Sequence, residues 1–362
     1  MYFFSKRFFP FFNTFFWGAF NDNVFRYALS IMIVYQCDFS SEQASALTFT
    51  ATALLMCPQF FFSSLAGEAG DKYEQKFLFK SIKLFEVFLM LCTLPALYMQ
   101  NVWLLLLLLF LTGIQSAFFS PLKYSYIYRN DPEKLLKGNS YICAGTYVAI
   151  LAGMIAGILL IKVPYGNILT GLCLLTVSGI GYYSALKIPE KVPAQANLKL
   201  NWNLFTGVYR LVKILFSSKT RILCVAGYSF FWMTGALYVS QLAGFCKYIL
   251  GSTESLVILL TLLFSFGVAS GAWLCSRFRG QKILYTITPA LLLMAVFTLD
   301  LYFTSRTWTL PPGETLYDIM EMLKIPLFWR ITADLYFTAL FGGFYSIPLA
   351  SLLQSTSKQE EI

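Results

Sequence analysis

Long apolar runs separated by short polar stretches dominate the pattern along the chain. Ten runs are long enough to be compared with membrane helices: residues 8–35, 44–66, 77–99, 102–119, 140–161, 165–186, 222–245, 256–275, 283–303 and 329–353. A helix needs about 20 apolar residues to cross the hydrocarbon core of a bilayer. The pattern therefore predicts an all-α integral membrane protein with about ten transmembrane helices.

The longest polar connection, residues 187–221, separates the first six runs from the last four. It opens with Pro189 and Pro193, and proline is unfavourable inside a helix. We therefore expect two bundles joined by a linker. The predicted parts are a six-helix bundle at 1–187, a cytoplasmic linker at 188–221, a four-helix bundle at 222–353 and a polar tail at 354–362.

Part of this linker, residues 202–216, has the period of an amphipathic helix. Its aromatic and aliphatic side chains fall on one side, and Arg210 and Lys213 fall on another. Helices of this kind bind the surface of an anionic leaflet. We expect a helix lying on the inner leaflet, and an ordinary solvated linker is the alternative.

The composition excludes a soluble globular protein, because 57% of the 362 residues are apolar and only 12% are charged. The chain also contains no histidine. This absence excludes an imidazole base, a histidine-ligated metal and the histidine–aspartate pair of glycerolipid acyltransferases. We therefore expect neither enzymatic activity nor a cofactor or metal.

Lysine and arginine are distributed unevenly over the connections between the runs. If the N-terminus is cytoplasmic, most of the 27 basic residues lie on the inner side. Basic flanks resist translocation, so we expect this orientation. The same asymmetry accounts for the net charge of +9, and no nucleic-acid partner is expected.

Four polar residues lie midway along the first run: Asn21, Asp22, Asn23 and Arg26. Charge at this depth is costly, and intramembrane ionisable residues are commonly functional. Asp22 and Arg26 are four residues apart, so we expect them to share a helix face and neutralise each other. In a cavity, Arg26 would meet a phosphate and Asp22 a cationic headgroup or a coupling proton. The alternative is an ion pair that only holds helices together.

Three further acidic residues lie in or near the apolar runs. Glu86 follows Lys83 by three residues, so we expect these two side chains to pair. Asp300 and Asp334 are nearer the outer ends of their runs, and we expect them to meet headgroup water.

A polar stretch rich in glycine and charge follows the second run. We expect a tight inner turn in which Gly67 allows two helices to approach and Asp71 meets a base or a helix N-terminus. Such a loop, with basic residues such as Lys72 and Lys76 at fixed offsets, is typical of the major facilitator superfamily, where it helps to close the inner gate. A partial copy at residues 271–282 has a cysteine in place of the acid.

Short motifs along the whole chain resemble those of the bacterial lysophospholipid transporters. This family of the major facilitator superfamily often occurs fused to, or beside, an acyltransferase/acyl-carrier-protein synthetase. The motifs are GAFNDNVFR at 18–26, DKYE at 71–74, QS at 115–116 with PLKY at 121–124, GN, AGT and AIL within 138–151, FW and GALY within 231–238, and LFGGFY and PL within 340–349. Arg26 departs from the family pattern, which has lysine there, and Gly70 stands where alanine is usual.

The resemblance implies a major facilitator-type bundle in a six-plus-four arrangement that flips lysophospholipids, chiefly lysophosphatidylethanolamine. Transport would run from the outer to the inner leaflet of the bacterial inner membrane, where a separate acyltransferase/acyl-ACP synthetase reacylates the lipid. The implied site residues are Asn21, Asp22, Asn23 and Arg26 for substrate, Gly67, Asp71, Lys72 and Lys76 for the inner-gate loop, and Gln115 and Lys123 as further polar lining.

Members of that family continue through two more spans, so the resemblance implies a C-terminal bundle that is incomplete after the tenth helix. Two alternatives to lysophospholipid flipping therefore stay open. One is a truncated remnant or split-gene half without transport of its own. The other is a facilitator that exports a drug or small metabolite.

Overall fold

A computed structural model describes residues 5–130, 135–190, 193, 197–198, 200–216, 218–275, 285–309 and 316–356. In this part of the chain the regular secondary structure is helical, apart from an isolated parallel bridge between Ser252 and Tyr317. The chain divides into two compact units. The first comprises Met1–Asp38 and Ala46–Arg210, and the second comprises Phe39–Ser45 and Leu211–Ile362.

The first unit contains six long helices and the beginning of a shorter one. They are α1 (Phe8–Ile31), α2 (Ser41–Lys72), α3 (Gln75–Tyr98), α4 (Val102–Asn130), α5 (Leu135–Lys162), α6 (Gly166–Leu186) and α7 (Leu204–Leu215). A π-helical turn at Met32–Gln36 extends α1.

The second unit contains four long helices and one short one. They are α8 (Lys219–Gly244), α9 (Ser255–Cys275), α10 (Ile287–Arg306), α11 (Ile319–Met322) and α12 (Pro326–Thr356). A π-helical turn at Phe245–Ile249 extends α8. The described residues thus form ten helices of 20 residues or more, one for each apolar run. The predicted all-helical membrane fold is confirmed.

Some helices extend beyond the apolar runs from which they were predicted. α2 continues through Lys72, so the prediction of a tight turn beginning at Gly67 is wrong. Gly67 and Gly70 are tolerated because glycine weakens a helix by only about 1 kcal/mol relative to alanine. The connection to α3 is therefore short, and Asp71 lies in the last turn of a helix.

Seven of the described helices are long and apolar enough to cross a membrane. Among the ten long helices, α1, α3 and α12 are not in this group. These three carry the charged residues Asp22 and Arg26, Lys83 and Glu86, and Arg330 and Asp334 within their length. Charge is costly in hydrocarbon, so these helices need polar partners inside the protein.

α1 packs mainly against α5 and α6, and the closest approach is made by two glycines of α5. A Cβ atom at Gly157 would come to 2.6 Å from the Val24 carbonyl oxygen. Gly153, one turn earlier, lies equally close to the Phe20 carbonyl. The two glycines form a G-x-x-x-G pattern, which allows the backbones of membrane helices to approach closely.

The second unit uses the same device between α9 and α12. A Cβ atom at Gly267 would come to 2.7 Å from the Tyr336 carbonyl oxygen, and Gly271 faces the Leu340 carbonyl. In each unit, small residues four apart therefore hold two helices together.

An aromatic cluster joins the beginning of α1 to α3 and α4. The rings of Phe11 and Tyr126 stack with their centroids 4.3 Å apart, and those of Phe79 and Phe119 lie 5.3 Å apart. The Tyr126 hydroxyl also donates to the Arg7 carbonyl at 3.0 Å. This cluster fixes the N-terminal end of α1 beside the C-terminal end of α4.

The Gly157→Ala substitution tests the close approach of α1 and α5. The new methyl group meets backbone that cannot move aside, so we expect a loss of stability of about 1–3 kcal/mol, as for other overpacked sites. Gly179→Ala is the matched control, because a Cβ atom at Gly179 meets nothing within 4 Å. Thermal unfolding of the two variants in detergent measures the difference, and equal stability of both would contradict the packing described.

Candidate functional site

A buried polar network joins α1, α3 and α4 through the carboxylate of Glu86. This carboxylate accepts hydrogen bonds from Lys83 Nζ at 2.6 Å, from Gln115 Nε2 at 3.0 Å and from Asn21 Nδ2 at 3.3 Å. Lys83 and Glu86 are 1% and 0% exposed. The predicted pairing of Lys83 with Glu86 is confirmed, and the network is fully enclosed by protein.

Two glycines make room for the Lys83 ammonium group. A Cβ atom at Gly18 of α1 would collide with Lys83 Nζ, and one at Gly181 of α6 would come to 3.4 Å from it. The ammonium nitrogen also lies 5.4 Å from the centroid of the Phe119 ring. The position of the cation is thus determined by contacts from four helices.

Asp22 lies beside this network without belonging to the Lys83–Glu86 pair. Its side chain is half-buried, and Oδ1 is inaccessible and has no hydrogen-bond partner among the described residues. The Ser116 side chain of α4 lies within hydrogen-bonding range of the carboxyl group, and Glu86, Lys83 and Arg26 are charged groups close enough to act on it. Two carboxyl groups therefore share this region with one ammonium group and one guanidinium group.

Arg26 does not form the predicted ion pair with Asp22. The guanidinium group donates from NH2 to Asn23 Oδ1 at 3.1 Å and lies over the Tyr27 ring, 4.6 Å from its centroid. Asn23 is held for this contact by its own donation to the Ala19 carbonyl at 2.7 Å. Within the described residues, Arg26 Nε has no hydrogen-bond partner.

The four predicted substrate-binding residues are therefore divided over two directions around α1. Asn21 faces α3, where it bonds to Glu86, and Asn23 packs against α5 at Gly153. Asp22 and Arg26 lie one helical turn apart, since they are separated by four residues. Each of the two charged groups keeps one buried polar atom unbonded within the described part of the chain.

At one end of the first unit, Asp71 forms an ion pair with Arg129 of α4. Arg129 also donates to the Gly70 carbonyl at 2.9 Å. Gly70 lies against the Leu122 side chain, which a Cβ atom would approach to 2.6 Å. These contacts connect the C-terminal ends of α2 and α4.

The remaining residues predicted for the inner-gate loop have separate partners. Lys76 donates to Glu190 Oε1 at 2.9 Å, and this hydrogen bond lowers the pKa of the exposed Glu190 carboxyl group. The Lys72 ammonium group lies 5.4 Å from the centroid of the Tyr73 ring, and a Cβ atom at Gly67 would meet nothing within 4 Å. In the partial second copy, residues 276–284 lie outside the described part of the chain.

Of the two further lining residues, only Gln115 contacts the network around Glu86. The Lys123 ammonium group lies over the rings of Phe15 and Tyr124, with centroids at 5.9 and 5.1 Å. Ser116 was not singled out from the sequence, although it adjoins Gln115 in the same short motif.

The second unit has an exposed ion pair and, close to it in sequence, a buried acidic residue. Arg330 donates to both carboxylate oxygens of Asp300, from Nε at 3.0 Å and from NH2. Asp334 is only 3% exposed, so the prediction that it meets headgroup water is wrong. The packing of α12 against α9 and α10 encloses this side chain at a depth that its position in the apolar run did not indicate.

A cavity of about 260 Å³ also lies in the second unit, and its lining is almost wholly apolar. Its two polar side chains are already bonded: Tyr238 donates to Thr298 Oγ1 and Gln241 donates to the Ser45 carbonyl, both at 3.0 Å. The cavity therefore offers little to a charged ligand, and the group around Asp22 remains the candidate site.

The Glu86→Gln substitution tests the network. It leaves the Lys83 ammonium group buried without a countercharge, so we expect a loss of stability of about 3–5 kcal/mol. Adding Lys83→Met removes that charge and should restore most of the stability. The exposed pair Lys76–Glu190 supplies the control, because Glu190→Gln should have little effect. Thermal unfolding in detergent measures all three variants, and a Glu86→Gln effect no larger than that of Glu190→Gln would contradict the network.

Comparison with known proteins agrees with this architecture. The sequence-family model of the Major Facilitator Superfamily matches residues 11–361 of this chain. The chain is also 26% identical over 251 residues to the lysophospholipid transporter LplT of Yersinia pestis (strain Pestoides F) and to that of Yersinia pseudotuberculosis serotype O:3 (strain YPIII). The match covers 68% of this chain and 56% of each relative, so the chain spans about half the length of the curated relatives it matches. The chain belongs to the Major Facilitator Superfamily and is a multi-pass membrane protein.

Proposed function

We propose that the chain moves lysophospholipids, and lysophosphatidylethanolamine in particular, from the outer to the inner leaflet of a bacterial inner membrane. Family membership and the likeness to the LplT proteins support this substrate class. The observation that carries the proposal is the pair of unbonded polar atoms on α1. They are Asp22 Oδ1 and Arg26 Nε, which belong to an acidic and a basic residue four positions apart in the helix.

The headgroup of lysophosphatidylethanolamine combines a phosphate with an ammonium group. A guanidinium group binds phosphate through charge-assisted hydrogen bonds, and a carboxylate binds ammonium in the same way. Arg26 and Asp22 therefore offer one complementary partner to each part of the headgroup. Asn21 and Asn23 contribute amide groups beside them, and Gln115 and Lys123 extend the polar lining in this proposal.

Glu86 and Lys83 explain why Asp22 is available for this role. The Lys83 ammonium group is bonded to Glu86, which also accepts from two amide side chains. Lys83 therefore neutralises the charge of Glu86 and leaves that of Asp22 for a ligand. The headgroup and the proposed site would each carry one positive and one negative group. Their attraction would be strong because water is excluded from the site.

The inner-gate loop, with Gly67, Asp71, Lys72 and Lys76, belongs to the same proposal. In transporters built from two bundles, alternating access arises when one bundle rocks against the other. We infer that the moving bundles are residues 1–187 and 222–353, joined by the linker at 188–221. The bond of Asp71 to Arg129 would keep the end of α2 fixed to α4 during this motion.

The proposed orientation rests on three contacts at one end of the first unit. They join Tyr126 to Arg7, Arg129 to Asp71, and Lys76 to Glu190. These contacts gather basic residues at the end that includes the N-terminus, and basic residues favour the cytoplasmic side. We infer a cytoplasmic N-terminus. Because the chain has no histidine, reacylation falls to a separate acyltransferase/acyl-ACP synthetase in this proposal.

The Asp22→Asn and Arg26→Ala substitutions test the proposed site. Each removes one charged contact to the headgroup, so we expect transport to fall about tenfold or more. Arg26→Lys retains the charge and should preserve most of the transport. Movement of labelled lysophosphatidylethanolamine in vesicles containing the purified protein measures the effect.

Asp300→Asn is the matched control for these variants. It removes a carboxylate from the exposed ion pair with Arg330 in the second unit, outside the proposed site, so transport should remain near the wild-type rate. Unchanged transport in both Asp22→Asn and Arg26→Ala would contradict the site, and no lysophospholipid movement by the wild type would contradict the proposed substrate.

A further inference from the structure

An exposed aromatic face runs along α7 and the residues just before it. Trp202, Phe205 and Tyr209 are 75%, 72% and 68% exposed. Phe205 and Tyr209 are four residues apart in α7 and so lie on one side of it, and Trp202 stands two residues before the helix. Val212 and Phe216 continue the same spacing and are also exposed. Large aromatic side chains in a row are unusual on a surface that faces water, so this face needs an apolar environment.

The opposite side of α7 is already occupied by the protein. Gly207 is buried, and a Cβ atom there would collide with the side chain of Ser64 in α2. Just before the helix, the Asn201 amide donates to Glu68 Oε2 at 2.9 Å. These contacts hold α7 against α2 and leave the aromatic residues exposed.

The aromatic face is continuous with an exposed face of α2. The Phe205 ring lies 6.4 Å from that of Phe61, which lies 5.3 Å from that of Phe60. Phe60 is 58% exposed, and α2 is one of the helices long and apolar enough to cross a membrane. The exposed Phe60 ring of α2 is therefore suited to contact with lipid. The ring contacts through Phe61 connect it to Phe205 of α7.

The charge of α7 and its position along the chain also indicate that lipid covers the aromatic face. α7 lies between α6 and α8, both of which are apolar enough to span the bilayer. Lys213 and Lys219 are exposed on α7 and at the start of α8. Basic residues beside a membrane are attracted to anionic headgroups, and tryptophan and tyrosine favour the boundary between headgroups and hydrocarbon.

We propose that α7 is a lipid-binding helix whose aromatic face, Trp202, Phe205 and Tyr209, lies in the headgroup region of an anionic leaflet. The ligand is the anionic phospholipid of the surrounding membrane, bound through apolar contact with the rings and attraction to the lysines. This role is independent of the substrate that the protein transports.

Fluorescence of Trp202 in the reconstituted full chain tests the proposal. The chain has seven tryptophans, so the emission of wild type minus that of Trp202→Phe isolates the contribution of this residue. The vesicles contain phosphatidylethanolamine and phosphatidylglycerol with acyl chains brominated near the headgroup. We expect the brominated lipid to quench most of the Trp202 emission, and iodide in the water to quench little of it.

Two matched variants distinguish lipid binding from a general effect of mutation. Tyr209→Ser should weaken the quenching of Trp202 by brominated lipid. Tyr98→Ser, at a residue that is 67% exposed at the end of α3, should leave it unchanged. Replacing phosphatidylglycerol by phosphatidylcholine should reduce the quenching, and Lys213→Gln should remove most of this lipid dependence.

Three results would overturn the proposal. Quenching of Trp202 by iodide rather than by brominated lipid would mean that the face is in water. Protection from both quenchers would mean that another protein surface, such as a second copy of the chain, covers it. Equal effects of Tyr98→Ser and Tyr209→Ser would mean that the signal does not report this face.

Discussion

The structure of the first unit depends on one constraint, which is that charge buried at membrane depth must be neutralised within the protein. Glu86 meets it by accepting hydrogen bonds from α1, α3 and α4 at once. An unpaired charge in this position would be far more costly than the loss of an exposed ion pair. The three helices are therefore held in one arrangement, and the arrangement determines where Asp22 lies and which of its atoms remain unbonded.

Close packing of helix backbones also stabilises the two units. It is needed because moving apolar side chains from lipid into a helix interface contributes little free energy. Gly153 and Gly157 bring α5 against α1, and Gly267 and Gly271 bring α9 against α12. In both pairs the glycines lie on a helix that is apolar enough to span the membrane, α5 or α9. They pack against a helix that carries buried charge, α1 or α12. The more polar helix is thus enclosed by the more apolar one.

The ten long helices could be predicted because apolar runs of spanning length have one stable backbone conformation in a membrane. Their ends could not, since residues such as Gly67 and Asp71 remain helical beyond the apolar run. In the candidate site, the spacing of Lys83 and Glu86 predicted their bond correctly. The spacing of Asp22 and Arg26 was equally suggestive and gave the wrong partner, because a shared face does not determine which neighbour a long guanidinium group reaches. The contacts of Gln115 and Ser116 are with residues of other helices. The sequence around each residue does not indicate which helices pack together.

The position of the Lys83 ammonium group against Gly18 has a consequence for how the sequence can diverge. A side chain at position 18 would meet the ammonium nitrogen of Lys83, which would have to shift, and a shorter residue at position 83 would free the space. The effect of a substitution at either position therefore depends on the residue at the other. Positions 18 and 83 form an epistatic pair, so homologues that have lost the glycine are expected to have lost the lysine as well.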